Sequence, residues 1–175
     1  MAEPKPCPKG SRRSGQAAIE FALLYSAVIL PLTFGIVYVA EMYWVWHSAV
    51  EFTREGARYA ATHCWQADTQ NVITYMQSHV PVNIDASQFR SGGSAQINVN
   101  YFQRDPATGQ LNAFSCDGDC STACVPDTVT VSVTNYEFRR FVSFIHLQPV
   151  VMPAFPTSMP IQSNGCDPEQ NSCVP

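Results

Sequence analysis

From Ala17 to Ala40 the chain is almost continuously apolar, AAIEFALLYSAVILPLTFGIVYVA, with Glu20 as its one charge. As a helix rising about 1.5 Å per residue, the run is about 36 Å long, enough to cross a hydrocarbon core with some tilt. A buried helix of a water-soluble domain would show a polar stripe at 3.6-residue spacing, and none appears. The pattern predicts a membrane span. Between Gln16 and Thr62 the one breaker is Pro31, which membrane helices tolerate as a kink. One helix is therefore expected to cross the bilayer over 16–46 and continue beyond it over 47–63. Tyr43, Trp44 and Trp46 fit the aromatic belt of the outer interface.

The pattern changes after residue 63. Val72, Ile73, Met76 and Val80 recur at helical spacing, Asp68 can cap the run, and Pro81 stops it. Gln96 to Phe102 then alternates, with Ile97, Val99 and Tyr101 on one face, and Thr128 to Tyr136 does so through Val129, Val131 and Val133. Between them Asp105 to Gly109 reads as a turn, from which Gln110 to Phe114 can return as a hairpin partner. Phe138 to Leu147 is apolar but too short for a second span, and is expected to pack under the sheet. Pro149, Pro153, Pro156 and Pro160 keep the chain after it extended. The fold class is α+β: a long membrane-spanning helix, then, over 64–175, a small antiparallel sheet with a short helix.

Charge orients this plan. Lys5, Lys9, Arg12 and Arg13 precede residue 15, whereas Glu41, Glu51 and Glu55 follow the span. Basic flanks stay in the cytoplasm, so the amino end is expected inside and the bulk outside. Beyond the basic leader, six arginines face thirteen acids, a formal charge of −7. That balance argues against nucleic-acid binding, which needs clustered cations.

Cys7 lies in the leader, while Cys64, Cys116, Cys120, Cys124, Cys166 and Cys173 all lie beyond the apolar run. An even set in an oxidising compartment predicts up to three disulfides, with 15 pairings open. The four-residue spacing from Cys116 to Cys124 lacks the matching ligand pair of a zinc site. Asp117, Asp119 and Asp127 lack the order of an EF-hand and read as a solvated acidic loop. His47, His63, His79 and His146 are scattered, and no nucleophile signature accompanies them. These readings predict no catalytic residues, no metal and no cofactor: not an enzyme.

No small-residue cleavage site follows the apolar run. Before it stands Arg12-Arg13-Ser14-Gly15-Gln16-Ala17-Ala18-Ile19-Glu20-Phe21, which resembles the type IV prepilin site. The resemblance implies cleavage after Gly15 by a membrane aspartyl peptidase. Gln16 then becomes first, Glu20 fifth and Phe21 sixth in the mature chain. A carboxylate inside lipid is costly unless paired. The family's partner for Glu20 is the new amino group of a neighbouring subunit, which sets the register of packed helices. Glu20 snorkelling to water is the plainer alternative.

Further on, Arg54-Glu55-Gly56-Ala57-Arg58-Tyr59-Ala60-Ala61 is similar to the E-G-A-R-x-A signature of TadE-like minor pseudopilins of tight-adherence (Flp) pilus systems. On its own the segment reads as a salt-bridged solvent face, Glu51 with Arg54 and Glu55 with Arg58, around a packing glycine. The resemblance implies a pilin-like fold and a single-pass inner-membrane protein with a periplasmic domain. Its partners would be the prepilin peptidase, other pseudopilins and pilus assembly subunits. Two alternatives stay open: an envelope protein that keeps residues 1–15 and binds a partner through its disulfide-bonded domain, and a type II secretion pseudopilin.

Overall fold

A computed structural model describes residues 14–140, 148–161, 163, 165–167 and 172–173. Helix runs unbroken from Ser14 to Thr62 with one change of winding: α1 (Ser14–Leu24), a π-helical turn (Tyr25–Ile29) and α2 (Leu30–Thr62). Pro31 explains the change. It has no N–H to give the carbonyl of Ala27, and its ring crowds that carbonyl. The preceding turn widens, and Leu30 N–H donates to the carbonyl of Tyr25, five residues back. Where the sequence predicts a kink, the helix relieves proline through the wider turn.

The chain divides into two units, the first ending at Glu41 and the second starting at Met42. In the first, Ile19, Phe21, Leu32, Phe34 and Ile36 are each more than 60% exposed, a surface that water disfavours and lipid does not. Among the described residues, Gly15–Thr62 is the one helix long and apolar enough to cross a membrane. Hydroxyls inside it are satisfied locally: Ser26 donates to the Leu23 carbonyl and Thr33 to that of Leu30, as a hydrocarbon surrounding demands.

The second unit carries α3 (Gln70–Ser78) and an antiparallel sheet of four strands, β1 (Gln96–Arg104), β2 (Leu111–Ala113), β3 (Thr128–Thr134) and β6 (Phe155–Pro160), in the order β2-β1-β3-β6. Two short ribbons pair β4 (Glu137–Phe138) with β5 (Val150–Val151) and β7 (Cys166–Asp167) with β8 (Ser172–Cys173). The alternation read from sequence holds in β3, where Val129, Val131 and Val133 are buried and their neighbours are not. α3 is two residues shorter at each end than the expected 68–80; Asp68 serves its start, accepting the Gln70 N–H at 3.0 Å. Phe138 is buried as expected, whereas 141–147 lie outside the described residues.

The proline-rich stretch is more than extended: it supplies β6, an edge of the main sheet. Ile161 N–H donates to the Asp127 carbonyl, so the amides of Phe155, Thr157 and Met159 share its direction toward β3. Pro156 and Pro160 occupy the outward positions, where a missing N–H costs no ladder bond and blunts the edge against further pairing.

β6 runs alongside the outer part of α2 in the same direction. Trp46 meets Phe155 edge-on at 4.9 Å, and Thr53 shares a 2.9 Å hydrogen bond with Thr157. Val45, Ala49, Phe52, Gly56 and Ala60 recur every three or four residues on the buried face of α2, the stripe that a helix presents to a sheet.

Three disulfides close Cys64 to Cys120, Cys116 to Cys124 and Cys166 to Cys173. The last joins the tail to itself. Gly165, whose φ is +68°, passes close to the end of α2: a side chain there would meet the Thr62 carbonyl at 2.5 Å.

A 3₁₀ turn over Ala86–Phe89 buries Gln88 completely. Its amide Nε2 donates to the Glu137 carbonyl at 2.8 Å, and its Oε1 accepts the Glu137 N–H at 2.9 Å. The side chain thus acts as a strand neighbour to β4. Oε1 also accepts from the Ser94 hydroxyl, and the Gln88 main-chain carbonyl takes the Ala95 N–H just ahead of β1.

Tyr101 is the opposite case: its hydroxyl is buried without a hydrogen-bond partner, and burial drives its phenol far above the ordinary range. Because a buried, unpaired hydroxyl costs more than it returns, Tyr101→Phe is expected to stabilise the outer unit by about 1 kcal/mol. Urea titration of both chains measures this; a loss of stability would mean that the hydroxyl has a bound water.

Candidate functional site

Two stretches of the helix carry the sequence-predicted residues, and each lies within its own unit. In the first, Gly15 stands one residue inside the start of α1, and a side chain built on it would meet nothing within 4 Å. One turn on, the Gln16 amide donates to the Glu20 carboxylate at 3.1 Å. Phe21 is 65% exposed and its ring stacks on Tyr25 at 6.3 Å. The carboxylate and the aromatic residue beside it are both exposed, and their partners within the unit are neighbours one turn away.

In the second stretch the helix separates the E-G-A-R residues by face. Gly56, Ala57 and Ala60 turn inward and are buried, while Arg54, Glu55 and Arg58 turn out. α3 crosses close to Gly56: a Cβ there would run into the Met76 thioether, which would have to shift. Of the two expected ion pairs, Glu51 with Arg54 forms at 2.6 Å. Glu55 instead accepts the Tyr75 hydroxyl of α3 at 3.0 Å. That acceptance is the main cause of the raised Tyr75 phenol pKa.

Gly56→Ala tests the inward half. Alanine gains about 1 kcal/mol of helix propensity, but overpacking against a buried Met76 costs about 1 to 3 kcal/mol. The expected net loss is about 1 kcal/mol. A Met76→Ala background should shrink it, measured as a double-mutant cycle in urea. A loss unchanged by Met76→Ala would show that contact with Met76 is not its cause.

The outward half contains a feature that sequence reading passed over. His63, Tyr59, Tyr75 and His79 stack as a column, with successive ring centroids 3.7, 3.9 and 4.2 Å apart. Each histidine follows its tyrosine by four residues at the end of a helix. Each places Nδ1 about 3 Å from that tyrosine's carbonyl, beside a hydroxyl from Thr62 or Ser78. The repeat Tyr-x-x-x-His was the available signal. The column clamps α3 onto α2, and beside it an open cavity of about 560 Å³ includes Glu51, Arg54, Arg58 and Met159 in its wall.

His63 and His79 are thus stacked on tyrosines rather than scattered; His47 is exposed, and His146 lies outside the described residues. Two of the three acidic-loop aspartates also have structural work: Asp119 accepts the Ala67 N–H at 2.8 Å and Asp127 the Arg104 N–H at 2.6 Å. The sulfurs of Cys64, Cys166 and Cys173 lie within 4.8 Å of one another. All three are in disulfides, and a metal requires thiolates.

Residues 15–58 match the family model described as TadE-like protein. No curated protein and no solved structure matches the chain. The matched stretch spans both parts of the helix just described, from the glycine at its start to the outward arginine of the second motif.

Proposed function

Since residues 15–58 are a TadE-like segment, we propose that this chain is a minor pseudopilin that helps initiate or build a tight-adherence pilus. Its role is structural: the prepilin peptidase acts on it after Gly15, and its apolar helix anchors it in the inner membrane with the disulfide-bonded unit outside. The observation that carries this reading is one helix holding both motifs. The Gly15, Gln16, Glu20 and Phe21 set stands at its start, and Arg54 to Arg58 stands where α3 crosses it.

In the proposed assembly, the amine freed at Gln16 of one subunit pairs with Glu20 of the next. Charge pairing in lipid is strong because the alternative is an unpaired ion. Outward presentation of Glu20 supports this role, as does the open apolar surface around it.

The test is the amino-terminal mass of membrane-extracted protein from cells that hold the matching peptidase. A chain beginning at Gln16, and an uncut chain from a Gly15→Leu variant, are expected. An unprocessed native chain in the presence of active peptidase overturns the reading in favour of a tethered binding domain.

A further inference from the structure

Among the described residues the outer unit exposes seven large apolar side chains, and all but Leu111 gather at one end. They are Tyr43, Trp44, Trp46, Val82, Val150 and Val151. The first three lie at the beginning of the outer part of α2. Asn83, next to the fully exposed Val82, hydrogen-bonds Ser48 through its amide, about 9 Å along the helix from Met42. Val150 and Val151 pair with Phe138 and Glu137. Arg140, two residues beyond Phe138, reaches back to the Asn83 carbonyl at 3.2 Å. The chain enters the outer unit at Met42, next to the first three of these side chains. The opposite end, about 30 Å away along α2, holds Cys64 and the disulfides grouped about it.

The same end is where cations concentrate. An open cavity of about 470 Å³ is walled in part by Val82, Arg90, Arg139 and Arg140, three of the six arginines beyond the leader. Two acids share the wall, Asp85 and Glu137, and leave two of the arginines without a carboxylate. Glu137 pairs with Arg139 at 2.8 Å. Asp85 accepts from the Ser87 hydroxyl and the Gln88 amide, and the Ser87 bond is the main cause of its lowered pKa. Arg90 and Arg140 have no carboxylate partner among the described residues.

We propose that this cavity and its apolar rim bind anionic phospholipid headgroups and seat the outer unit on the bilayer surface. The chemistry of the two layers matches that ligand. Arginine donates in a fork that suits a phosphodiester, and exposed aliphatic and aromatic side chains beside it suit the headgroup-to-acyl boundary. The proposal rests on the anchor reading, because only a chain held in the bilayer keeps this end against it. A free phosphate would use the arginines but leave the rim unexplained.

The experiment is hydrogen exchange on the full chain in lipid nanodiscs, comparing phosphatidylcholine alone with phosphatidylcholine plus phosphatidylglycerol. Exchange over 82–90 and 136–140 is expected to slow in the anionic discs by about fivefold for each arginine engaged, while β1 and β3 stay unchanged. An Arg90→Gln/Arg140→Gln chain, checked for folding by β3 exchange, should lose the slowing.

Equal exchange in both discs overturns the proposal, as does slowing that survives the double substitution. Slowing that appears only with two chains per disc makes the face an interface between copies. Slowing reproduced by inorganic phosphate in neutral discs makes it a soluble-anion site. Failure of the anchor reading looks different: amides of Ile19 to Val39 would then exchange freely in every disc.

Discussion

Replacing Cys64 and Cys120 together by alanine is expected to lower the stability of the outer unit by about 4 kcal/mol. The bridge closes a loop with a sequence separation of 56, against 8 for Cys116–Cys124 and 7 for Cys166–Cys173. A cross-link restricts the unfolded chain more as its loop lengthens, so either short bridge should contribute only about 2.5 kcal/mol. The long bridge also joins the end of α2 to the loop before β3. There Cys120 N–H donates to the Trp65 carbonyl, and Trp65 packs edge-on to Phe114 at 5.0 Å. Urea titrations of the three double variants, followed by tryptophan emission, supply the ranking. Equal losses for the long and short bridges would refute the loop-length argument. Both cysteines must be replaced at once, since a lone Cys64 thiol would sit within 4.8 Å of the sulfurs that bridge the tail.

That pairing illustrates what sequence can and cannot carry. The even set of cysteines beyond an apolar run announces disulfides, yet their partners depend on where α2 ends relative to the sheet, which no local pattern encodes. Patterns tied to a short repeat were legible. The membrane-length helix follows from continuous apolarity, β3 from its strict alternation of valine with threonine and serine, and the packing glycine from its place in the motif. β6 is only half legible: its prolines read as an extended chain, and nothing local shows that this chain pairs with β3. Only the direction of alternate amides shows that Pro156 and Pro160 sit where an edge strand needs no donor. Sequence offers Glu55 only its neighbours along one helix, and so Arg58; the donor it accepts from, Tyr75, arrives on another helix.

Gln88 is the extreme of that limit, and the second large effect is expected there. Nothing in Asp85-Ala-Ser-Gln88-Phe89 marks the glutamine as more than a surface residue, yet it is 2% exposed. Gln88→Leu keeps the volume and removes every polar contact of the side chain. The Glu137 N–H and C=O then lose their partners together, because β5 takes the backbone groups of Tyr136 and Phe138 on the other side of the strand. Each unsatisfied buried group costs about 1 to 3 kcal/mol, so a loss of about 3 to 4 kcal/mol is expected. Hydrogen exchange should show β4 and the Ala95 amide opening before β3.

Gln88→Glu separates the donor from the acceptor half. It can still accept the Glu137 N–H, but it gives up the bond to the Glu137 carbonyl and faces Asp85, whose oxygen now lies 3.3 Å from Nε2. Asp85 has a depressed pKa, so its own stabilising contribution is present above its unfolded pKa and fades only as pH falls through the lower folded one. The introduced carboxyl, disfavoured as an anion, behaves in the opposite sense. The Gln88→Glu chain should therefore recover stability relative to the native chain as pH falls toward that range, whereas Gln88→Leu should not. A Gln88→Leu loss below about 1 kcal/mol would mean that water replaces the glutamine at β4, and that the strand is held from its β5 side alone.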